Sequence, residues 1–257
     1  MSALTAAGDL RRLVVRDLRR DLRVLDGLIV NTALPVIIMI IFVYVFGGAI
    51  TTGSSGLAYV DFVVPAVLLM SGGYGAALTA VTIAEDMTGG MIDRFRTLPI
   101  GGWVVPAGHV LASVVKNVGS SAIALAAALL LGFRPDASPA DWALVLAVVT
   151  GYVLAMSSLA ALWGLLVKST QAAGAFSFAV LFLPYVSDGI VPAETMPGVL
   201  RDFAHNQPAT PIIETLRALL LDQPMGSSGA VAAAWLTGVI VLSLPVAALL
   251  FRRRTAA

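Results

Sequence analysis

The run VDFVVPAVLLMSGGYGAALTAVTIA, residues 60–84, decides the fold class of this chain. It carries one charged residue, Asp61, over more than the roughly 20 apolar residues that an α-helix needs to cross a bilayer. It does not alternate apolar and polar residues as a strand of a membrane barrel does. A helix satisfies its own backbone hydrogen bonds in lipid, so the run predicts a membrane-spanning α-helix.

The rest of the chain extends this prediction. Of its 257 residues, 58% are hydrophobic and only 12% are charged, against about 25% charged in soluble domains. A soluble fold so poor in charge would expose large apolar patches, which excludes a soluble enzyme. We predict one all-α integral membrane domain, residues 1–257, with six transmembrane helices at 28–47, 60–84, 110–131, 143–167, 172–191 and 231–251.

The distribution of Lys and Arg predicts the orientation. Most of these cations precede the first span, follow the second and fourth spans, or follow the last, as Arg252, Arg253 and Arg254 do. Because such residues concentrate on the cytoplasmic side, we expect both termini in the cytoplasm of a bacterial cell and a multi-pass protein of its plasma membrane.

Residues 9–26 predict an amphipathic interfacial helix. Leu10, Val14, Leu18, Leu22 and Leu25 share one face, and six arginines with Asp17 and Asp21 fill the rest. Such a helix lies among anionic headgroups. Either it anchors the orientation, or it is a lever that meets a cytoplasmic partner.

The loop 85–100, EDMTGGMIDRFRTLPI, predicts a short cytoplasmic helix. Two acids end the span, a Gly pair allows a bend, and Pro99 stops the helix. Met91, Ile92, Phe95 and Leu98 share one face. This suits docking into a groove of a partner, although an interfacial helix that only closes the loop would have the same pattern.

Residues 192–222 predict an external hairpin of two short helices joined near 206–210, because repeated prolines exclude an uninterrupted span. Within them Glu214 and Arg217 could pair on one helix face. Either this hairpin has a gating role, or it is an interfacial hairpin without one.

In the third span, the polar residues fall on one face, at His109, Ser113, Lys116, Asn117 and Ser120. One interpretation is that they form the polar wall of a translocation cavity or of a seam between subunits. The other is that Lys116 only extends its side chain to the membrane interface.

The sequence lacks the residues that several enzymatic activities require. There is no Cys, and Val167-Lys168-Ser169-Thr170 lacks the Gly of a phosphate-binding loop. We predict no catalytic residue and no metal site, and Ser157-Ser158 lacks the context of an intramembrane protease. Asn31, Asp61 and Asp188 lie near span ends and favour the interface over a proton relay.

The order of these segments resembles the type-2 family of ATP-binding cassette (ABC) transporter permeases, in its branch of daunorubicin-type resistance exporters. The resemblance rests on Arg94-Phe95-Arg96-Thr97-Leu98-Pro99 after the second span and on the segment that begins at Pro192. In that segment Pro192, Glu194, Met196 and Pro197 are followed by Arg201, Asn206, Pro208 and Arg217. The family has Asn directly before Pro, whereas Gln207 intervenes here.

The resemblance implies a membrane subunit that exports a hydrophobic drug or lipid-like substrate by alternating access. Two such subunits, identical or homologous, would pair above two ATPase subunits, which would bind the ATP and Mg; this chain would bind no cofactor and no nucleic acid. The coupling residues would be Glu85, Asp86, Met91, Arg94, Phe95, Arg96, Leu98 and Pro99. The residues of an external gate would be Glu194, Pro197, Arg201, Pro208, Glu214 and Arg217.

Two alternatives stay open from the sequence. One is a permease for a polysaccharide or a lipid-linked glycan, and the other is an ion-coupled secondary carrier. A coupled carrier would be expected to hold an acid near the midplane of the membrane, where the predicted spans place none.

Overall fold

The computed structural model describes residues 3–23, 25–48, 50, 56–89 and 103–256. These residues form helices and turns, with no β-strand among them. The helices are α1 (Ala3–Arg23), α2 (Leu25–Ile41, continued by a π-helical turn Phe42–Phe46), α3 (Tyr59–Ala77), α4 (Thr79–Thr88), α5 (Val104–Leu130), α6 (Pro139–Leu166), α7 (Thr170–Phe182), α8 (Gly198–Asn206), α9 (Ala209–Leu220) and α10 (Ser228–Ala256).

Five stretches of the bundle are long and apolar enough to cross a membrane: Ile29–Phe46, Tyr59–Thr88, Val104–Leu130, Pro139–Leu166 and Ser228–Arg254. They correspond to five of the six predicted spans. The remaining prediction, 172–191, meets a shorter apolar stretch, Thr170–Val186. There α7 ends at Phe182, and a 3₁₀ turn Pro184–Val186 follows, since Pro184 has no N–H to continue the helix.

The α3–α4 segment is the centre of the bundle. In its most apolar window 78% of the residues are buried, against 17% for the first stretch and 22% for the last. The second predicted span therefore supplies the core, and α2 and α10 lie at the periphery. The break between α3 and α4 falls at Leu78, whose N–H still bonds to Tyr74 O at 3.3 Å.

A glycine allows the backbones of α4 and α6 to approach closely. A Cβ added at Gly164 in α6 would come within 2.5 Å of Ala80 O in α4. Small residues let helix backbones approach closely in membranes, where lipid is as apolar as leucine and the hydrophobic effect drives no association. This contact fixes α4 against α6.

Residues 193–220 form the helical hairpin that the prolines predict. A 3₁₀ turn, Ala193–Thr195, leads to α8, and Gln207-Pro208 joins α8 to α9. Eleven of the twelve residues of α9 are buried, against α3, α6 and α10. The second arm of the hairpin, α9, thus returns into the bundle, whereas α8 is exposed at every residue except Ala204.

Candidate functional site

The predicted coupling residues are described only at their start. Glu85 is exposed near the end of α4, and its neighbour Asp86 is buried, with 8% exposure. The other coupling residues, Met91, Arg94, Phe95, Arg96, Leu98 and Pro99, lie outside the described residues. Their assignment stays a prediction.

A cluster of charged side chains surrounds His109 where α1, α4 and α5 meet. His109 is buried, its Nδ1 lies 2.9 Å from Asp17 Oδ2, and its Nε2 lies 3.0 Å from Asp86 Oδ2. Two arginines of α1 complete what we call the His109 cluster. Arg16 Nη2 lies 2.8 Å from Asp17 Oδ1 and 3.8 Å from Asp86 Oδ2, and Arg20 Nη1 lies 3.9 Å from Asp86 Oδ1.

The cluster keeps Asp17 ionised. Burial of Asp17 by itself raises the pKa, but the contact with His109 and the neighbouring Arg16 guanidinium outweigh it and hold the pKa at about 2. A second ion pair joins the same two helices, with Lys116 Nζ 2.6 Å from Asp21 Oδ2. Lys116 therefore contacts a protein carboxylate.

This arrangement changes the interpretation of α1. The sequence placed Asp17 and Asp21 among the arginines of its polar face, but both acids turn toward α5, while Arg11, Arg12 and Arg19 remain exposed. Sequence reasoning missed this pairing. The available signal was that the acids are four residues apart, and so share a helix face.

A chain of polar side chains continues from the His109 cluster along α5. Asn31 Nδ2 in α2 donates to Asn117 Oδ1 at 3.1 Å and to Ser120 Oγ at 3.2 Å. Asn117 Nδ2 donates to Ser113 Oγ at 3.0 Å, and Ser113 Oγ lies 2.8 Å from Ser157 Oγ in α6.

Four of the five residues predicted on the polar face of α5, namely His109, Ser113, Asn117 and Ser120, are thus buried against other helices of the same chain. Their assignment to a translocation path or a subunit seam stays a prediction. Asn31, which the sequence placed at the interface, is buried and hydrogen-bonded to Asn117.

A separate ion pair joins the hairpin to the segment before it, close to the start of α3. Arg217 Nη1 in α9 donates to Asp188 Oδ2 at 3.0 Å, and its Nη2 donates to Asp188 O at 2.6 Å and to Phe62 O at 3.3 Å. Its guanidinium carbon lies 4.0 Å from the centre of the Phe62 ring, within the range of a cation–π contact. Arg217 therefore pairs with Asp188, and not with Glu214 as the helix spacing suggested.

The other residues predicted for an external gate lie around this pair. Arg201 Nη2 donates to Glu194 O at 2.9 Å and to Met196 O at 3.2 Å, which ties α8 to the preceding turn. Pro197 and Pro208 directly precede α8 and α9. Burial first, and then the carboxylate of Asp188, raises the pKa of Glu214.

An apolar cavity of about 220 Å³ lies between α6, α7, α9 and α10. Its lining includes Tyr152, Met156, Phe176, Ile212 and Trp235. It is smaller than a typical drug-sized pocket of roughly 300–1,000 Å³. The lining suits an aromatic or aliphatic group and offers little to a charged one.

Comparisons with known proteins agree with this architecture. A family model described as ABC-2 type transporter matches residues 9–221. The chain is 28% identical over 188 residues to the daunorubicin resistance ABC transporter permease protein DrrB1 of Streptomyces coeruleorubidus, which covers 73% of this chain and 66% of that protein.

It is 22% identical over 246 residues to the probable doxorubicin resistance ABC transporter permease protein DrrC of Mycobacterium tuberculosis, which covers 94% of this chain and 86% of that one. The match therefore spans just under two thirds of the length of the first relative and most of the second.

Proposed function

Because the chain belongs to the ABC-2 type transporter family, we propose that it is the membrane subunit of an exporter for hydrophobic small molecules of the drug or antibiotic type. The family is one of transporter permeases, and the chain is a multi-pass membrane protein and not a catalytic enzyme. The observation that carries the proposal is the match over residues 9–221. It includes α1, the loop 85–100 and the hairpin.

The proposed cargo follows from two observations. The relatives are named for resistance to daunorubicin and doxorubicin, and the cavity beside α9 is lined by apolar and aromatic side chains. A planar aromatic or lipid-like molecule fits such a lining better than a sugar does, because a sugar needs many hydrogen-bond partners. The direction of transport is outward.

The energy for transport comes from a separate ATPase subunit that binds the ATP and Mg. Two ATPase subunits dock on the loops 85–100 of two permease chains, which are two copies of this chain or a copy and a homologue. In this proposal both termini lie in the cytoplasm of the bacterial cell, and the hairpin 192–222 closes the path at the outer side.

The polar face of α5 supports a role close to this path. It is a continuous set of hydrogen bonds between α2, α5 and α6, and it begins beside Asp86 at the end of α4. We assign it the task of holding these three helices in a fixed register while the loop 85–100 moves.

Co-purification and transport test the function together. The tagged chain, expressed from its native operon and extracted in a mild detergent, is expected to retain an ATPase subunit, identified by mass spectrometry. Reconstituted in inside-out vesicles, the complex is expected to take up doxorubicin when ATP is added. A chain that retains no ATPase across several detergents, and vesicles that take up doxorubicin without ATP, would instead favour an ion-coupled carrier.

Charge reversal tests the coupling loop. Arg94→Glu together with Arg96→Glu is expected to keep membrane insertion and ATP hydrolysis but to abolish doxorubicin uptake, because the sequence pattern predicts both arginines on the polar face of a docking helix. Arg253→Glu, an exposed arginine near the C-terminus, is the matched control and is expected to transport as the wild type does. Normal uptake by the double variant would refute the assignment of the loop.

A further inference from the structure

His109 is the single side chain that joins α1, α4 and α5 through charged groups among the described residues. Its two ring nitrogens contact Asp17 of α1 and Asp86 of α4 at 2.9 and 3.0 Å. Asp86 belongs to the segment 85–100 that is assigned to ATPase docking, and it lies in the helical start of that segment at the end of α4. The cluster therefore includes one residue of the docking segment.

The geometry favours a charged ring. A neutral imidazole has one N–H and one lone pair. With a carboxylate oxygen within 3.0 Å of each nitrogen, a neutral ring would turn its lone pair toward an anion. The imidazolium instead places positive charge between the two carboxylates, hydrogen-bonded to Asp86 Oδ2 and in ion-pair contact with Asp17 Oδ2.

The side chains around the His109 ring do not replace it as the main link between Asp17 and Asp86. From α1, Arg16 and Arg20 face the cluster, but their side chains are 37% and 42% exposed and remain partly hydrated, which weakens their pull on Asp86. From α10, the side chain beside the ring is that of Phe251, which is apolar. Asp17 and Asp86 would repel each other across α1 and α4 without a buried cation between them.

The contacts also set how α1 lies on α5. Along α1 the contacts run from Leu13, which packs on Gly108, through Asp17 to Asp21, which pairs with Lys116. Their partners on α5 follow in the same order. The two helices are thus held in one register over two turns, and His109 adds α4 to them.

We propose that His109 is a positioning residue for transport: through Asp17 and Asp86 it holds α1 and the end of α4 as one unit, so that a movement of the loop 85–100 displaces α1 together with α4. This inference rests on the proposed function, because it assigns a task to the same loop. It predicts that the transmission depends on the charge of the ring.

Three variants and one control separate this role from simple packing. His109→Gln keeps a polar side chain but removes the positive charge between the two carboxylates, and Asp17→Asn removes the negative charge of one of them. The double variant completes the cycle. Because all three break the same link, the double variant is expected to be no worse than His109→Gln alone. Arg11→Gln removes a charge from the exposed face of α1 and is the control.

The first readout does not depend on the cargo. The chain has no cysteine, so spin labels can be placed by Arg12→Cys in α1 and Thr88→Cys in α4, both exposed positions. In the complex with the ATPase at about pH 6, we expect a narrow distance distribution that ATP does not broaden. His109→Gln and Asp17→Asn are expected to broaden it roughly twofold, since either change breaks the connection from Asp17 through the ring to Asp86.

The dependence of the distance distribution on pH distinguishes a role for the charge of the His109 ring from a role in packing. Asp17 and Asp86 contact the ring, and Arg16 and Arg20 contact these two carboxylates. The wild-type distribution is expected to broaden toward that of His109→Gln at the alkaline pH at which the ring loses its proton, while the Gln variant does not change with pH. A purely structural role of His109 would produce no such convergence.

The second readout is doxorubicin uptake. His109→Gln is expected to lose roughly tenfold in ATP-driven uptake, the size of one charge-assisted hydrogen bond expressed as a rate, with ATP hydrolysis retained. If the variant assembles poorly, Asp17→Asn carries the test. A narrow distribution and wild-type uptake in His109→Gln, or the same losses in Arg11→Gln, would overturn the inference. A wild-type complex that moves no doxorubicin would refute the proposed cargo, and the distance readout would still decide the role of His109.

Discussion

Gly75 in α3 is the position where a single methyl group should disturb the polar chain most. A Cβ at this position would overlap Asn117 Oδ1 of α5 and come within 2.5 Å of Asn31 Oδ1 and 2.6 Å of Asn31 Nδ2 of α2. Distances below 3.0 Å to a Cβ require one side to move. Gly75→Ala must therefore displace the two amides that hold α2 on α5.

The expected cost has two parts. Overpacking of a buried site costs about 1–3 kcal/mol. Displacing Asn31 also breaks its bonds to Asn117 and Ser120, at about 0.6 kcal/mol for each hydrogen bond between membrane helices. The two parts together give a loss of roughly 2–4 kcal/mol in the free energy of unfolding. This lowers the unfolding midpoint by roughly 5–15 °C for a chain of this size.

Thermal unfolding in detergent, followed by size-exclusion of the tagged protein, measures this shift. Gly119→Ala is the matched control, since a Cβ added there meets no atom within 4 Å. It is expected to leave the midpoint unchanged or to raise it slightly, because Ala has the higher helix propensity. Equal midpoints for Gly75→Ala and Gly119→Ala would refute the reasoning, because they would mean that α3 does not pack against Asn31 and Asn117.

Three further changes test other contacts. Arg217→Met leaves the partly buried Asp188 without its cation and is expected to cost roughly 1–3 kcal/mol in the same assay, with partial recovery in the double variant with Asp188→Asn. No recovery would contradict the pairing. Glu214→Gln is expected to raise the midpoint near pH 8 and to have little effect near pH 4. The reason is that burial, and then the carboxylate of Asp188, raise the pKa of Glu214 in the folded protein. The folded protein therefore loses stability as the pH rises and Glu214 ionises. The reverse pH dependence would exclude this explanation. Leu13→Cys with Gly108→Cys is expected to form a disulfide on mild oxidation, seen as a shift on a non-reducing gel. The added Cβ at 108 lies 3.0 Å from that of Leu13, near the roughly 3.5–4.5 Å of natural disulfides, and failure to cross-link would place α1 away from α5.

Hydropathy and composition were sufficient to predict the class of protein. The all-helical fold and the membrane-spanning stretches are confirmed, as is the family, because a long apolar run can be recognised without knowledge of its neighbours. The six-span count stays a prediction. The segment 172–191 is mostly apolar, but Pro184 and the turn after it shorten the helix.

The partners of the charged residues were not predictable in the same way. Spacing assigned Asp17, His109 and Arg217 to helix faces, but the residues that they contact are far away in the chain. Arg217 illustrates the limit: Glu214 is its neighbour by helical spacing, whereas Asp188 reaches it through the turn after α7. Such pairs depend on how helices cross, which a single sequence does not specify.

The burial of α9 has a consequence for the order in which this protein is built. A helix of twelve residues extends about 18 Å and is too short to be held by lipid across a core of about 30 Å. Its apolar residues must therefore be retained by protein. Ile212 and Leu216 share a core with Leu236 of α10, which is synthesised after them. The hairpin consequently cannot reach its final position until the last helix has entered the membrane. A ribosome stalled before residue 228 would leave the apolar side chains of α9 without the residues of α10 that cover them.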